Sequence, residues 1–124
     1  MRAFNTRLLM LSLLYSLATS LQAQGDAQAG KRVFDTQCAN CHGAKVDQKL
    51  AGPHLVGVIG RQAGSVQGFA SSAALKTANI QWSEAMLHKY LADPMKVVPG
   101  TSKTLGLSDE IQRTDVIEYL KTLK

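Results

Sequence analysis

The chain has 124 residues, 45% of them hydrophobic and 19% charged, with a formal net charge of +5. This length supports one small domain with a thin core. The basic excess is weak and its lysines are dispersed, which excludes a nucleic-acid binder as the first reading.

At the N-terminus, Arg2 and Arg7 precede an apolar run from Leu8 to Leu17 that is interrupted by Ser12, Tyr15 and Ser16. A polar stretch containing Ala23 follows. This is the layout of a secretory signal peptide, and the run is too short for a permanent bilayer span. Cleavage is expected after Ala23, although Leu21 departs from the small-residue rule, and an uncleaved tether is the competing reading. The leader carries two arginines and no acid, so residues 24–124 keep a charge of +3. The expectation is a leader over 1–23, a single domain over 24–124 and a periplasmic location.

The first helix is expected from about Asp26, with Ala29, Val33 and Phe34 on one side. It runs into Cys38-Ala39-Asn40-Cys41-His42, which holds both cysteines and one of three histidines. Cys-x-x-Cys-His is the order of c-type haem attachment. On a helical turn, residues three apart share a face, so two thiols can add to the two vinyl groups along one haem edge. His42 follows directly and can bind the iron through imidazole. A thioredoxin-type couple needs a βαβ context that is missing here, and a zinc finger needs a second ligand pair. A simple disulfide is compatible with export. Haem attachment is the reading adopted.

A long Gly-, Ala- and Ser-rich stretch without strand alternation comes next, which is unusual unless the chain wraps something. The second helix is expected to start near Ser83, bury Leu87, Tyr90 and Leu91, and stop before Asp93-Pro94. The third has Ser108 as candidate N-cap, with Asp109 and Glu110 in its first turn. Val116, Ile117, Leu120 and Leu123 recur along it at helical spacing. No internal repeat or second domain is visible.

Over nearly all of residues 24–124 the sequence resembles the class I cytochromes c, of the mitochondrial and bacterial c2 type. Gly30, Phe34 and the Cys38–His42 motif carry the resemblance first. The run Gly52-Pro53-His54-Leu55-Val56-Gly57-Val58-Ile59-Gly60-Arg61, then Gly68-Phe69 and Trp82, extend it. Tyr90-Leu91, Pro94, Pro99-Gly100-Thr101 and Asp115-Val116-Ile117-Glu118-Tyr119-Leu120 complete it. The resemblance implies an all-α fold of about three main helices, with loops wrapped around one covalent haem c held by Cys38 and Cys41. It also implies that the Pro53 carbonyl accepts the proton on the far nitrogen of His42, and that Arg61 and Trp82 hydrogen-bond a buried propionate. Tyr90 is expected at the haem. Gly30 and Phe34 are expected to meet Val116 and Tyr119 where the first and last helices cross. Where the family has a tyrosine and an asparagine, Ser71 and Leu75 stand, implying a less hydrogen-bonded haem floor.

The family's sixth ligand is a methionine a few residues after Pro-Gly-Thr. Here Ser102-Lys103-Thr104-Leu105-Gly106-Leu107 follows, and no methionine stands downstream. Direct counting puts Lys103 at the ligand place, in a segment one residue short. Four outcomes stay open: Lys103 as a neutral amine, Met95 through a different loop path, His88 if turned inward, or an iron left open or holding water. His54 is expected to be a loop residue on the His42 side.

The first functional reading is a periplasmic single-electron carrier, its potential lowered by a nitrogen ligand in place of thioether. The alternative is a haem-based binder or sensor of carbon monoxide or nitric oxide. Peroxidase-like activity would be incidental, because Tyr90 has no distal acid–base partner. Partners are expected to be redox proteins with an acidic docking surface. Nothing argues for oligomerisation, so a monomer is expected.

Overall fold

Asp26 opens the first helix by accepting from the backbone N–H groups of Gln28 and Ala29, two of the donors a helix start leaves free. The computed structural model describes residues 24–124, so the leader expected over 1–23 lies outside the described residues. Helix α1 spans Ala27–Gln37 and ends on Cys38, whose N–H closes onto the Phe34 carbonyl. Helix α2 is a single turn, Ala73–Thr77, capped by Ser72. Helix α3 spans Glu84–Ala92 with Ser83 as its N-cap, as the sequence predicts.

Proline does stop α3, but it also starts another element. Asp93 ends α3 and caps α4 (Pro94–Val97), where Pro94 sits in the first turn and needs no N–H partner. Helix α5 spans Glu110–Thr122. Its N-cap is Asp109 rather than the expected Ser108: the Asp109 carboxylate accepts from Gln112 N, and the Ser108 carbonyl is taken by Arg113. Three helices, α1, α3 and α5, carry the architecture, with two single turns added. The only β pairing among the described residues is an isolated bridge between Gln62 and Gln81.

Helix α1 packs chiefly on α5. Gly30 makes the crossing possible, because a β-carbon there would run into the Asp115 carbonyl oxygen. Beside it the rings of Phe34 and Tyr119 tilt at 55° with centroids 5.3 Å apart. Phe34, Val116, Ile117 and Leu120 are buried at this junction, each side chain contributing roughly 1.5–3 kcal/mol by its removal from water. Leu87, Tyr90, Trp82 and Val98 continue the same core toward α3. No helix among the described residues is long and apolar enough to cross a membrane.

Candidate functional site

The end of α1 rolls directly into the cysteine motif. Ala39 N–H bonds the Phe34 carbonyl, and the N–H groups of Cys41 and His42 both bond the Cys38 carbonyl at 3.0 and 2.9 Å. Both cysteines are free thiols, Cys38 half-buried and Cys41 exposed. Burial pushes the Cys38 thiol above its ordinary range, with the Lys103 charge opposing it.

A second segment is strapped across this turn. Gly52 N–H bonds the Cys41 carbonyl at 2.7 Å, and Leu55 N–H bonds the Gly43 carbonyl at 2.8 Å. The strap brings the Pro53 carbonyl 2.8 Å from His42 Nδ1. A carbonyl only accepts, so Nδ1 carries the proton and Nε2 keeps its lone pair free for a metal. Burial holds the His42 pKa below its usual value, outweighing the Pro53 bond that raises it. The ring is therefore kept neutral, the form that ligates.

Arg61 and Trp82 are tied together by main-chain bonds. Gly60 N–H donates to the Trp82 carbonyl and Trp82 N–H to the Arg61 carbonyl, at 2.7 and 2.9 Å. The guanidinium donates Nη1 to the Val56 carbonyl and Nη2 to the His54 carbonyl. Trp82 is 7% exposed, and its ring lies tilted at 49° against that of Tyr90 with centroids 4.8 Å apart. Tyr90 Oη in turn shares a buried 2.8 Å hydrogen bond with Thr101 Oγ1. Thr101, 4% exposed, also accepts from Lys103 N at 3.4 Å.

Lys103 is half-buried, and its ammonium acts electrostatically on Cys38 and on His42. Burial lowers the Lys103 pKa, and the two thiols pull it partly back. Its Nζ donates to the Leu105 carbonyl at 2.6 Å. Met95 is 44% exposed on α4 and lies outside the core cluster. His88 sits half-buried on α3, between buried Leu87 and Tyr90 in sequence. His54 is a loop residue, as expected, and is half-buried. Its carbonyl binds Arg61, and its Nδ1 is buried without a hydrogen-bond partner among the described residues.

The cytochrome c family model matches residues 27–124. The chain belongs to the cytochrome c family. It is 43% identical over 101 residues to cytochrome c of Euglena viridis, a match that covers 81% of this chain and 99% of that protein. Cytochrome c of Tetrahymena pyriformis is 45% identical over 101 residues, covering 81% of this chain and 91% of the relative. The solved structure of cytochrome cH from Methylobacterium extorquens superposes with a TM-score of 0.73 at 44% identity, covering 79% of this chain and 99% of that one.

This cytochrome binds one haem c, held covalently through Cys38 and Cys41. The residues present fit that group: two free thiols three residues apart on one turn, and a neutral imidazole beside them with one nitrogen committed and one available. As a family member, it is an electron carrier.

Three contributors have contacts that the sequence does not disclose. Thr101 is placed by a buried hydroxyl pair, and Arg113 is 8% exposed because it shares the buried face of α5 with Val116, Ile117 and Leu120. Gly52 is required by contact. A β-carbon there would lie 2.5 Å from His42 Cε1, so only glycine leaves room for the ring.

Proposed function

We propose that this cytochrome is an exported single-electron carrier whose haem iron is held by His42 and Lys103. One observation carries the sixth-ligand reading: Lys103 follows Pro99-Gly100-Thr101 at the ligand place and is half-buried, with its N–H on the Thr101 hydroxyl that Tyr90 holds. When bound, the haem supplies the one-electron iron couple. Alkylation of Cys38 and Cys41 removes the two thiols that raise the Lys103 pKa. The burial that lowers it remains, which favours the neutral, ligating amine.

The other residues orient and shield. Pro53 fixes the His42 tautomer and raises its basicity. Arg61 and Trp82, held side by side, would meet a propionate. Tyr90, beside Trp82, links that corner to Thr101 through a buried hydroxyl pair. Lys45, Lys49, Lys76, Lys89 and Lys96 are exposed and suit an acidic redox partner. The signal-like sequence over 1–23 supports export to the periplasm.

A nitrogen ligand lacks the potential-raising effect of a thioether. Potentiometric titration is therefore expected to give a higher potential for Lys103→Met than for the native protein, with Met95→Ala unchanged. An identical potential for Lys103→Met, or a shifted one for Met95→Ala, overturns the assignment of Lys103.

A further inference from the structure

Between Thr101 and Leu107 the chain is anchored at both ends. Thr101 is buried, with its N–H on the Val98 carbonyl and its hydroxyl on Tyr90. At the other end, Leu107 N–H bonds the Leu91 carbonyl at 2.6 Å. Gly106 lies so close to the end of α3 that a β-carbon on it would stand 2.6 Å from the Ala92 carbonyl oxygen and 3.2 Å from that of Leu91. The last anchor comes from α5, where Arg113 Nη1 donates to the carbonyls of Leu107 and Ser108 at 2.7 and 2.6 Å.

The cost of this last anchor marks it as more than a surface contact. Arg113 is buried, and its Nε has no hydrogen-bond partner among the described residues. A guanidinium taken out of water with one donor unused is expensive to keep. Its hydrogen bonds fall on Leu107 and Ser108, where the segment that starts at Lys103 ends and leads into α5.

We infer that residues 102–105 form a strap clamped at Thr101 and at Gly106–Leu107, and that Arg113 and Gly106 are positioning residues for the sixth iron ligand. Neither residue touches the iron. They act by limiting how far the Lys103 backbone can move away, so the fraction of molecules with an open coordination place stays small. The inference rests on Lys103 being that ligand. Because an external ligand binds in proportion to the open fraction, its apparent association rate reports the clamp.

The test is carbon monoxide binding to the reduced, haem-loaded protein, followed by stopped flow, with the optical spin state recorded alongside. Hydrogen exchange at the Leu107 amide gives a readout independent of the haem. Arg113→Ala and Gly106→Ala are each expected to raise the binding rate about tenfold or more and to speed Leu107 exchange. Arg113→Lys, which keeps one charged donor, should fall between Arg113→Ala and the native protein. Val116→Ala weakens the α1–α5 junction without touching the strap and should leave the rate unchanged. Should Arg113→Ala fail to fold, Gly106→Ala carries the same comparison.

Unchanged rates in both Gly106→Ala and Arg113→Ala overturn the inference, and so does an equal rise in Val116→Ala. If the native protein is low-spin and Lys103→Ala opens it while the clamp variants do not, the inference fails and the Lys103 assignment stands. A native protein that is already high-spin and binds carbon monoxide fast removes both.

Discussion

The carbonyl oxygen of Pro53 lies 2.8 Å from Nδ1 of His42, so the imidazole is oriented before any metal is considered. The backbone of Gly52 lies against the same Nδ1–Cε1 edge of the ring. Tautomer, charge state and tilt are thus set by a loop that main-chain bonds hold to the motif.

Gly52→Ala should therefore disturb the ligand rather than the fold. The new methyl carbon would press on His42 Cε1 and Nδ1, at 2.5 and 2.7 Å, with the Cys41 carbonyl 2.9 Å away. Overpacking of this kind costs about 1–3 kcal/mol. The expected result is a lower denaturation midpoint together with a changed axial-ligand spectrum; an unchanged spectrum would show that the ring does not depend on Gly52.

The α1–α5 crossing responds differently. In a free helix, Gly30→Ala would gain roughly 1 kcal/mol of propensity. Here the added carbon meets the Asp115 main-chain carbonyl, which cannot swing aside as a flexible side chain can. The clash should win, with a net loss of about 1–3 kcal/mol. Chemical denaturation should show that loss while the haem spectrum stays native-like. A variant as stable as the parent would contradict the close approach.

Tyr90 gives a prediction in pH. Its hydroxyl pKa is raised from the ordinary value of 10.0, chiefly by burial, with the Thr101 hydrogen bond partly opposing. In the unfolded chain the phenol ionises near its ordinary value, while in the folded protein it stays protonated to higher pH. Between those two points the unfolded state holds fewer protons, so stability falls as pH rises. The contribution is full below about pH 10 and is lost through the alkaline range. Tyr90→Phe should flatten that part of the stability–pH curve and cost about 1 kcal/mol at neutral pH, where Thr101 loses its partner. A curve that keeps its alkaline slope in Tyr90→Phe would assign the slope to other groups.

How far the sequence discloses this molecule depends on the length of each signal. The long helices are legible because Ser83 marks a start, Pro94 a stop, and Val116, Ile117 and Leu120 repeat at helical spacing. Helices α2 and α4 are too short for periodicity to register, and Pro94 reads as a terminator although it also begins a turn. Ser108 and Asp109 are both good caps, and the choice falls to Asp109 because Arg113 occupies the Ser108 carbonyl. The cysteine motif is local and so fully visible. Thr101 and Gly106 act through Tyr90 and Ala92, which no local pattern shows, whereas Arg113 stands on the spacing of Val116, Ile117 and Leu120 but its charge reads as a solvated residue.

The most direct test of the iron's second protein ligand is the near-infrared absorption of the oxidised protein, compared with Lys103→Ala and Met95→Ala. We expect a low-spin spectrum without the sulfur-to-iron charge-transfer band, converted to high spin by Lys103→Ala and untouched by Met95→Ala. A sulfur band in the native protein that vanishes in Met95→Ala would contradict a lysine-held iron.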